Sequence, residues 1–436
     1  MGEKKWQKHE RMGEHYFHLT HASGLRIYVM PKKLSTVYAL FATKYGSIDN
    51  IFVPGESGEE VTVPDGIAHF LEHKMFENED GEDTFAKYAR FGGNANAYTS
   101  FDKTAYLFSA TEHVYDNLRV LLTFVTHPYF TPQNVQKEQG IIGEELRMYL
   151  DEPGQKIFYN LLEAMYQNHP CRRNIGGTIE SIAAITPEIL YQCYQTFYRL
   201  DNMVLVVCGD VTPEKVLQIA DDVLPKQEKT ALPVQRRYPE EPRAVVRDLV
   251  VDYADIAQPL LYVGIKDNDV PDTPAKRSKK AAAVDVLLEM LFGKSSALYN
   301  DLYENGDVLA MRSYYEMSET YAYACIYALC DDPMKVRDRI CACFAQAQKQ
   351  GLDKRAFLRA KRMLYAQDVT AFDSTEEMAT ACMDAVLDGY DIFDEIDDMA
   401  QVTMEDVEKV LNAMFVSTQT SASVLYPYAQ QEAPKA

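Results

Sequence analysis

No apolar run in these 436 residues approaches the roughly 20 consecutive positions that a membrane-spanning helix needs, so a soluble chain is expected. Basic residues are also in short supply: 44 Lys and Arg stand against 65 Asp and Glu, for a formal net charge of -21. That balance argues against nucleic acid and against an anionic membrane surface as partners, because both call for basic patches. Met1 to Gly13 is polar and carries Lys4, Lys5, Lys8 and Arg11 with no apolar segment behind it. An ordinary secretory signal is thereby excluded, and cytoplasmic residence is the expectation. Cysteine is sparse, eight residues without a CxxC pair, and Cys341 and Cys343 fall on different faces of a helical stretch with no histidine nearby. Such cysteines read as buried reduced thiols and not as a disulfide framework or a metal site. Histidine is absent after His169, so the second half of the chain cannot host a histidine-based metal site.

What is present is ordinary globular material, 47% hydrophobic and 25% charged, in a chain about three times as long as a typical domain. Strands are predicted at 24–31 and 36–44, a charged loop at Glu56 to Glu60, and helices at 67–76 and 84–91. A Gly92-Gly93 turn, strands at 95–100 and 104–110, helices beginning near Glu112, Pro132 and Gly154, and a buried strand at 203–209 complete the first half. Between about 225 and 245, four prolines stand among charges with no apolar period, which marks a linker. The order then recurs: a strand at 260–265, a helix at 281–292, strands at 311–316 and 321–329, a helical region from Met334 through Met363 and a late strand at 421–426. The fold class expected is therefore α+β, built of two homologous halves, each a mainly antiparallel sheet covered by helices, over residues 1–225 and 246–436 with a linker at 226–245.

The chemistry concentrates in Ala68-His69-Phe70-Leu71-Glu72-His73-Lys74. His69 and His73 lie four apart on a helix, one turn from each other on one face, where both imidazoles can reach a single metal ion. Neutral imidazole is a favoured nitrogen ligand of zinc, and three protein ligands plus a water make a catalytic site. Glu72 neighbours the same face and suits a general base, taking a proton from water whose pKa zinc lowers to near 7. By average residue usage, a chance HxxEH in a chain of this length has a probability on the order of one per cent.

A third ligand is offered by the helix around Gln139 to Asp151, where Glu144 and Glu145 are adjacent. Helical geometry separates them, since Glu138, Ile141, Ile142, Glu145, Leu146 and Tyr149 share one stripe and Lys137, Gly140, Glu144, Arg147 and Asp151 the polar side. A carboxylate on an apolar stripe is costly unless it is paired or bound to metal, so Glu145 is the predicted ligand. Glu138, two turns earlier on the same stripe, is then placed to orient a ligand histidine. Gly293-Lys294-Ser295 invites a phosphate-loop reading, but Leu288 stands where GxxxxGK needs its first glycine, and a helix precedes it.

The inverted zinc motif, the seven-residue spacing of Glu138 and Glu145, and Gly92-Gly93-Asn94-Ala95-Asn96-Ala97-Tyr98-Thr99-Ser100 together resemble the pitrilysin/insulinase family of zinc metallopeptidases. Further likeness runs through Phe197-Tyr198, Asn202-Met203, Gly209-Asp210 and Leu291-Phe292-Gly293-Lys294-Ser295-Ser296, over essentially the whole chain. It is closest to the short-subunit branch, which includes bacterial and mitochondrial processing peptidases, where two such chains close like a clamshell around a chamber. The resemblance implies that Asn96 and Ala97 lie on an edge strand that pairs with the substrate backbone. One departure matters: the family's Arg and Tyr, seven apart in the second half, are replaced here by Tyr303 and Ala310.

These readings lead to a zinc endopeptidase holding one Zn2+ per chain through His69, His73 and Glu145, with Glu72 as base, acting on unfolded peptides or small precursors. The missing Arg and Tyr imply a heterodimer with a homologous subunit that lacks the zinc motif and supplies them. Two alternatives stand beside it: a zinc-binding scaffold subunit that cleaves nothing, and a dedicated processing peptidase for a ribosomally made peptide.

Overall fold

The computed structural model describes residues 5–55, 58–225 and 233–431. Expectations that fall on residues 1–4, on 56–57 of the charged loop and on 226–232 of the linker lie outside the described residues. Fifteen strands occur in the described chain: β1 (Lys5–His9), β2 (Glu14–Thr20), β3 (Arg26–Pro31), β4 (Val37–Thr43), β5 (Ile51–Val53), β6 (Val61–Thr62), β7 (Asn94–Thr99), β8 (Thr104–Ala110), β9 (Met203–Gly209), β10 (Gln235–Arg236), β11 (Leu249–Ala254), β12 (Leu260–Asp267), β13 (Ala310–Met317), β14 (Ala322–Leu329) and β15 (Thr420–Pro427). The α+β class and the two sheet-bearing halves are as expected. The two compact units are not contiguous in sequence: the first comprises Met1–Leu146, Asn174–Tyr238 and Val369–Ile392, the second Arg147–Arg173, Pro239–Asp368 and Phe393–Ala436.

In the first unit, one sheet runs in the order β1-β2-β3-β9-β4-β8-β7, antiparallel except for the β3–β9 pair. Every residue of β4 and β9 is buried, which explains why both read as unbroken apolar runs: they are central strands covered on both faces. The helix Thr375–Asp388, from late in the sequence, covers this sheet, burying Met378, Cys382 and Met383. Arg26 donates to the Val386 carbonyl at 3.0 Å, and Lys103 Nζ meets Asp384 Oδ1 at 2.6 Å.

In the second unit, the sheet order is β11-β15-β12-β14-β13, again with one parallel pair, β11–β15. Its covering helix, Pro153–Met165, comes from early in the sequence. That helix lies so close that a Cβ on Gly264 of β12 would stand 2.6 Å from Met165 Sδ, so glycine is required there. Each unit thus takes a covering helix from the other half of the sequence. An amphipathic pattern predicts such helices but not the sheet each one buries against.

Most predicted elements appear within a few residues of their expected places. The helical region expected from Met334 through Met363 is two helices, Pro333–Gln350 and Lys354–Ala371, because Gly351 turns the chain at φ +81. The helix expected from 281 begins at Pro274, with Thr273 before it, since its first turns are polar and show no apolar period. The β1–β2 hairpin and β11 were not predicted: all of β1 but His9 is exposed, and β11 is mostly half-buried.

Candidate metal centre

The helix Ile67–Lys74 starts from Gly66, whose φ of 87 only glycine adopts readily. Its start is pinned by the loop around Gly176 and Gly177: a Cβ on Gly66 would lie 2.3 Å from the Gly176 carbonyl oxygen, and Ser181 Oγ donates to the Asp65 carbonyl at 2.7 Å. From this fixed start the four-residue spacing stacks His69 and His73 with ring centroids 4.5 Å apart. The helix Pro132–Leu150 then brings Glu145 to both rings, Oε1 3.8 Å from His69 Nε2 and Oε2 3.6 Å from His73 Nε2.

The ligand atoms of His69, His73 and Glu145 all lie within 4.8 Å of one another, the one such group of three or more among the described residues. Tetrahedral zinc at roughly 2.0–2.2 Å from N and O places its ligand atoms about 3.3–3.6 Å apart, so the donor set and its spacing fit zinc with a small contraction. Behind His73, Nδ1–H donates to Glu138 Oε1 at 3.1 Å, fixing the tautomer that leaves Nε2 free for a metal. His69 Nδ1 is buried without a hydrogen-bond partner, so no acceptor behind that ring matches Glu138 behind His73.

Burial, followed by the neighbouring His73 charge, pushes the His69 pKa down to about 3, which keeps this imidazole neutral and able to ligate. Burial also pushes His73 down, but the Glu138 hydrogen bond and the carboxylates of Glu72 and Glu145 outweigh it and hold the ring above its ordinary value. Glu72 is 7% exposed, and burial raises its pKa against the opposing hydrogen bond from Thr99 and the His73 charge. Thr99 Oγ1 donates to Glu72 Oε2 at 2.6 Å. Thr99 is on β7, at the edge of the sheet, and the same strand carries Asn96 and Ala97, paired through β8 to Leu107 and Tyr106. Among the described residues no strand pairs with the other side of β7.

Residues 50–179 match the family model for insulinase, peptidase family M16, and residues 184–364 match the M16 inactive domain. The chain is 37% identical to the uncharacterized zinc protease YmfH of Bacillus subtilis over 96% of its own length and 98% of that protein. The chain belongs to the M16 peptidase family. M16 membership is equally plain in three dimensions: an M16-like peptidase from Alicyclobacillus acidocaldarius superposes with a TM-score of 0.90 at 33% identity, covering 98% of each chain. The mitochondrial-processing peptidase subunit beta of Saccharomyces cerevisiae is 29% identical over 51% of this chain and 49% of its own.

Within this M16 chain the structure brings together all five residues predicted for the metal and its chemistry, His69, Glu72, His73, Glu138 and Glu145, and places Asn96 and Ala97 on the sheet edge. Tyr303, in the second unit, is 55% exposed and stacks on Tyr299, and Ala310 opens β13. Sequence reasoning passed over two residues, Thr99 and Lys74. Thr99 carries no local signal, because its contact with Glu72 joins a strand to a helix. Lys74 does carry one: it sits three, four and seven residues after Leu71, Phe70 and Ile67, on the apolar stripe of its helix.

Proposed function

We propose that this chain is the zinc-bearing subunit of an endopeptidase, with one Zn2+ held by His69, His73 and Glu145. The observation that carries the reading is the convergence of two Nε2 atoms and the Glu145 carboxylate beside a buried glutamate. Zinc in that position supplies Lewis acidity, lowering the pKa of water to near 7 and polarising a peptide carbonyl. Glu72 takes the proton of the attacking water on its carboxylate and passes it to the nitrogen of the leaving amine. Thr99 holds that carboxylate in place through its hydroxyl. Glu138 accepts a hydrogen bond from His73 Nδ1–H and so sets the tautomer whose Nε2 faces the metal. The open side of β7 receives the substrate backbone as an added strand, along Asn96 and Ala97, and this mode selects extended, unfolded peptides or small precursors.

Tyr303 and Ala310 favour a heterodimer in which a homologous subunit without the zinc motif supplies the donors for the substrate carbonyl. That the yeast relative is named as a subunit supports this pairing. The same two positions leave room for the second reading, a zinc-binding scaffold that cleaves nothing. Cleavage of a quenched peptide library by the isolated chain, and then by the chain with its homologous partner, separates the two. Turnover that rises about a hundredfold or more on adding the partner supports the peptidase subunit, since one missing carbonyl donor typically costs that much. No turnover in either case supports the scaffold.

A further inference from the structure

Lys74 is fully buried on an apolar stripe, the seat of an aliphatic side chain. An ammonium in such a place is costly unless it is paired, so its partners indicate its task. Those partners lead to the metal site. Its Nζ lies 2.8 Å from Glu77 Oε2 and 3.7 Å from Glu138 Oε2, and it donates to the Asn134 carbonyl oxygen at 3.3 Å. Glu77 is in turn shared with Lys137 at 3.3 Å. The two oxygens of Glu138 are therefore divided: Oε1 accepts from His73 Nδ1, and Oε2 faces the Lys74 charge.

We infer that Lys74 is a positioning residue for the zinc site, holding the Glu138 carboxylate oriented so that it can fix the His73 ring. The inference rests on the zinc reading above. Glu138 is only 5% exposed, and without a neighbouring cation its carboxylate is free to rotate toward other donors. His73 then loses the acceptor that sets its tautomer, and the Nε2 ligand loses its orientation. Glu77 and Asn134 hold Lys74 itself in place, so that its charge also faces Oε2 of Glu138. The geometry separates this task from simple charge pairing, because an ion pair with Glu77 alone needs no approach to Glu138.

The test compares zinc dissociation constants, by competition with a chelating dye, for the wild type, His73→Ala, Lys74→Met, Glu138→Gln and the double variant Lys74→Met/Glu138→Gln. Absorption spectra of the Co2+-loaded proteins are recorded beside them. Lys74→Met and Glu138→Gln should each bind zinc about 10- to 100-fold more weakly. The double variant should bind no more weakly than Glu138→Gln, and the Co2+ bands of Lys74→Met should change as those of Glu138→Gln do. Wild-type affinity in Lys74→Met, with zinc lost from His73→Ala, overturns the inference and leaves the zinc reading standing. A further tenfold loss in the double variant overturns it as well, since Lys74 would then act apart from Glu138. Equal zinc contents in wild type and His73→Ala sink the zinc reading, and this inference with it. Should Lys74→Met fail to fold, Glu138→Gln and the double variant decide alone: equal affinities support the inference, and a tenfold difference overturns it.

Discussion

The two units share a strand order and differ in the charged side chains that gather on it. Matching β3, β9, β4, β8 and β7 to β11, β15, β12, β14 and β13 reproduces both the order and the single parallel pair. At the candidate metal centre of the first unit, carboxylates meet imidazole or ammonium: Glu138 faces His73 and Lys74, and Glu145 faces His69 and His73. In the second unit, burial, followed by Asp368 and Glu395, pushes Asp285 up to about 7, and burial pushes Asp368 up to about 6. A carboxylate beside two imidazoles can share a metal ion with them, whereas one buried beside other carboxylates is pushed up toward neutrality. One architecture therefore carries a candidate metal centre in one unit and a cluster of acidic groups in the other, according to a few side chains.

The hardest blow to that contrast is His73→Ala, which should remove essentially all bound zinc, read by metal analysis of the purified protein. Glu72→Gln should keep the zinc and lower turnover in the active assembly by about a hundred- to ten-thousandfold, the usual worth of a general base. Full turnover in Glu72→Gln would assign the base elsewhere. A milder change is Thr99→Val, which deletes one hydrogen bond to the Glu72 carboxylate and should lower kcat about tenfold, in line with roughly 1.5–3 kcal/mol for a bond to a charged group. Because that bond holds the Glu72 pKa down against burial, the acid limb of the activity profile should also move to higher pH. An unmoved limb would show that Thr99 does not set the ionisation of Glu72.

The grouping of the candidate metal ligands was legible because helices convert spacing into shared faces. Two histidines four apart, and a glutamate where an apolar residue belongs, locate His69, His73 and Glu145 without reference to tertiary structure. The same logic applied to the Ile67–Lys74 stripe would have flagged Lys74, since a lysine on a core stripe asks for a partner as a glutamate does. Thr99 was out of reach, because which strand residue faces Glu72 depends on a register set through β8. The exchange of covering helices was equally hidden: Thr375–Asp388 and Pro153–Met165 show apolar faces, but nothing local says which sheet each will cover.

The second unit offers its own test. Asp285 keeps a proton in the fold at a pH where the unfolded chain, with the ordinary value of 3.8, has lost it. Its contribution to stability is therefore fully present below about pH 4 and is lost as pH rises through about 7. Asp285→Asn should accordingly leave the melting temperature near its wild-type value at pH 4 and stabilise the protein by about 1–2 kcal/mol at pH 8. A larger gain at pH 4 than at pH 8 would show that the carboxyl is ionised in the fold.

The smallest effect is the most exacting check on how the site is built. Glu144 and Glu145 are adjacent on one helix, and a step of about 100° turns their side chains to different sides. Glu144 is exposed, whereas Glu145 is partly buried and faces both imidazoles. A surface carboxylate outside the ligand set changes stability by no more than about 0.5 kcal/mol when its charge is removed. Glu144→Gln should therefore keep its zinc and hold turnover within about twofold of wild type, while Glu145→Gln, nearly identical in shape, should lose the metal. A ligand atom is decided by direction and not by proximity in sequence, so these two amides should behave as differently as any pair in the chain. Zinc retained by Glu145→Gln and lost from Glu144→Gln would place the ligand stripe one residue away and undo the assignment of the third ligand.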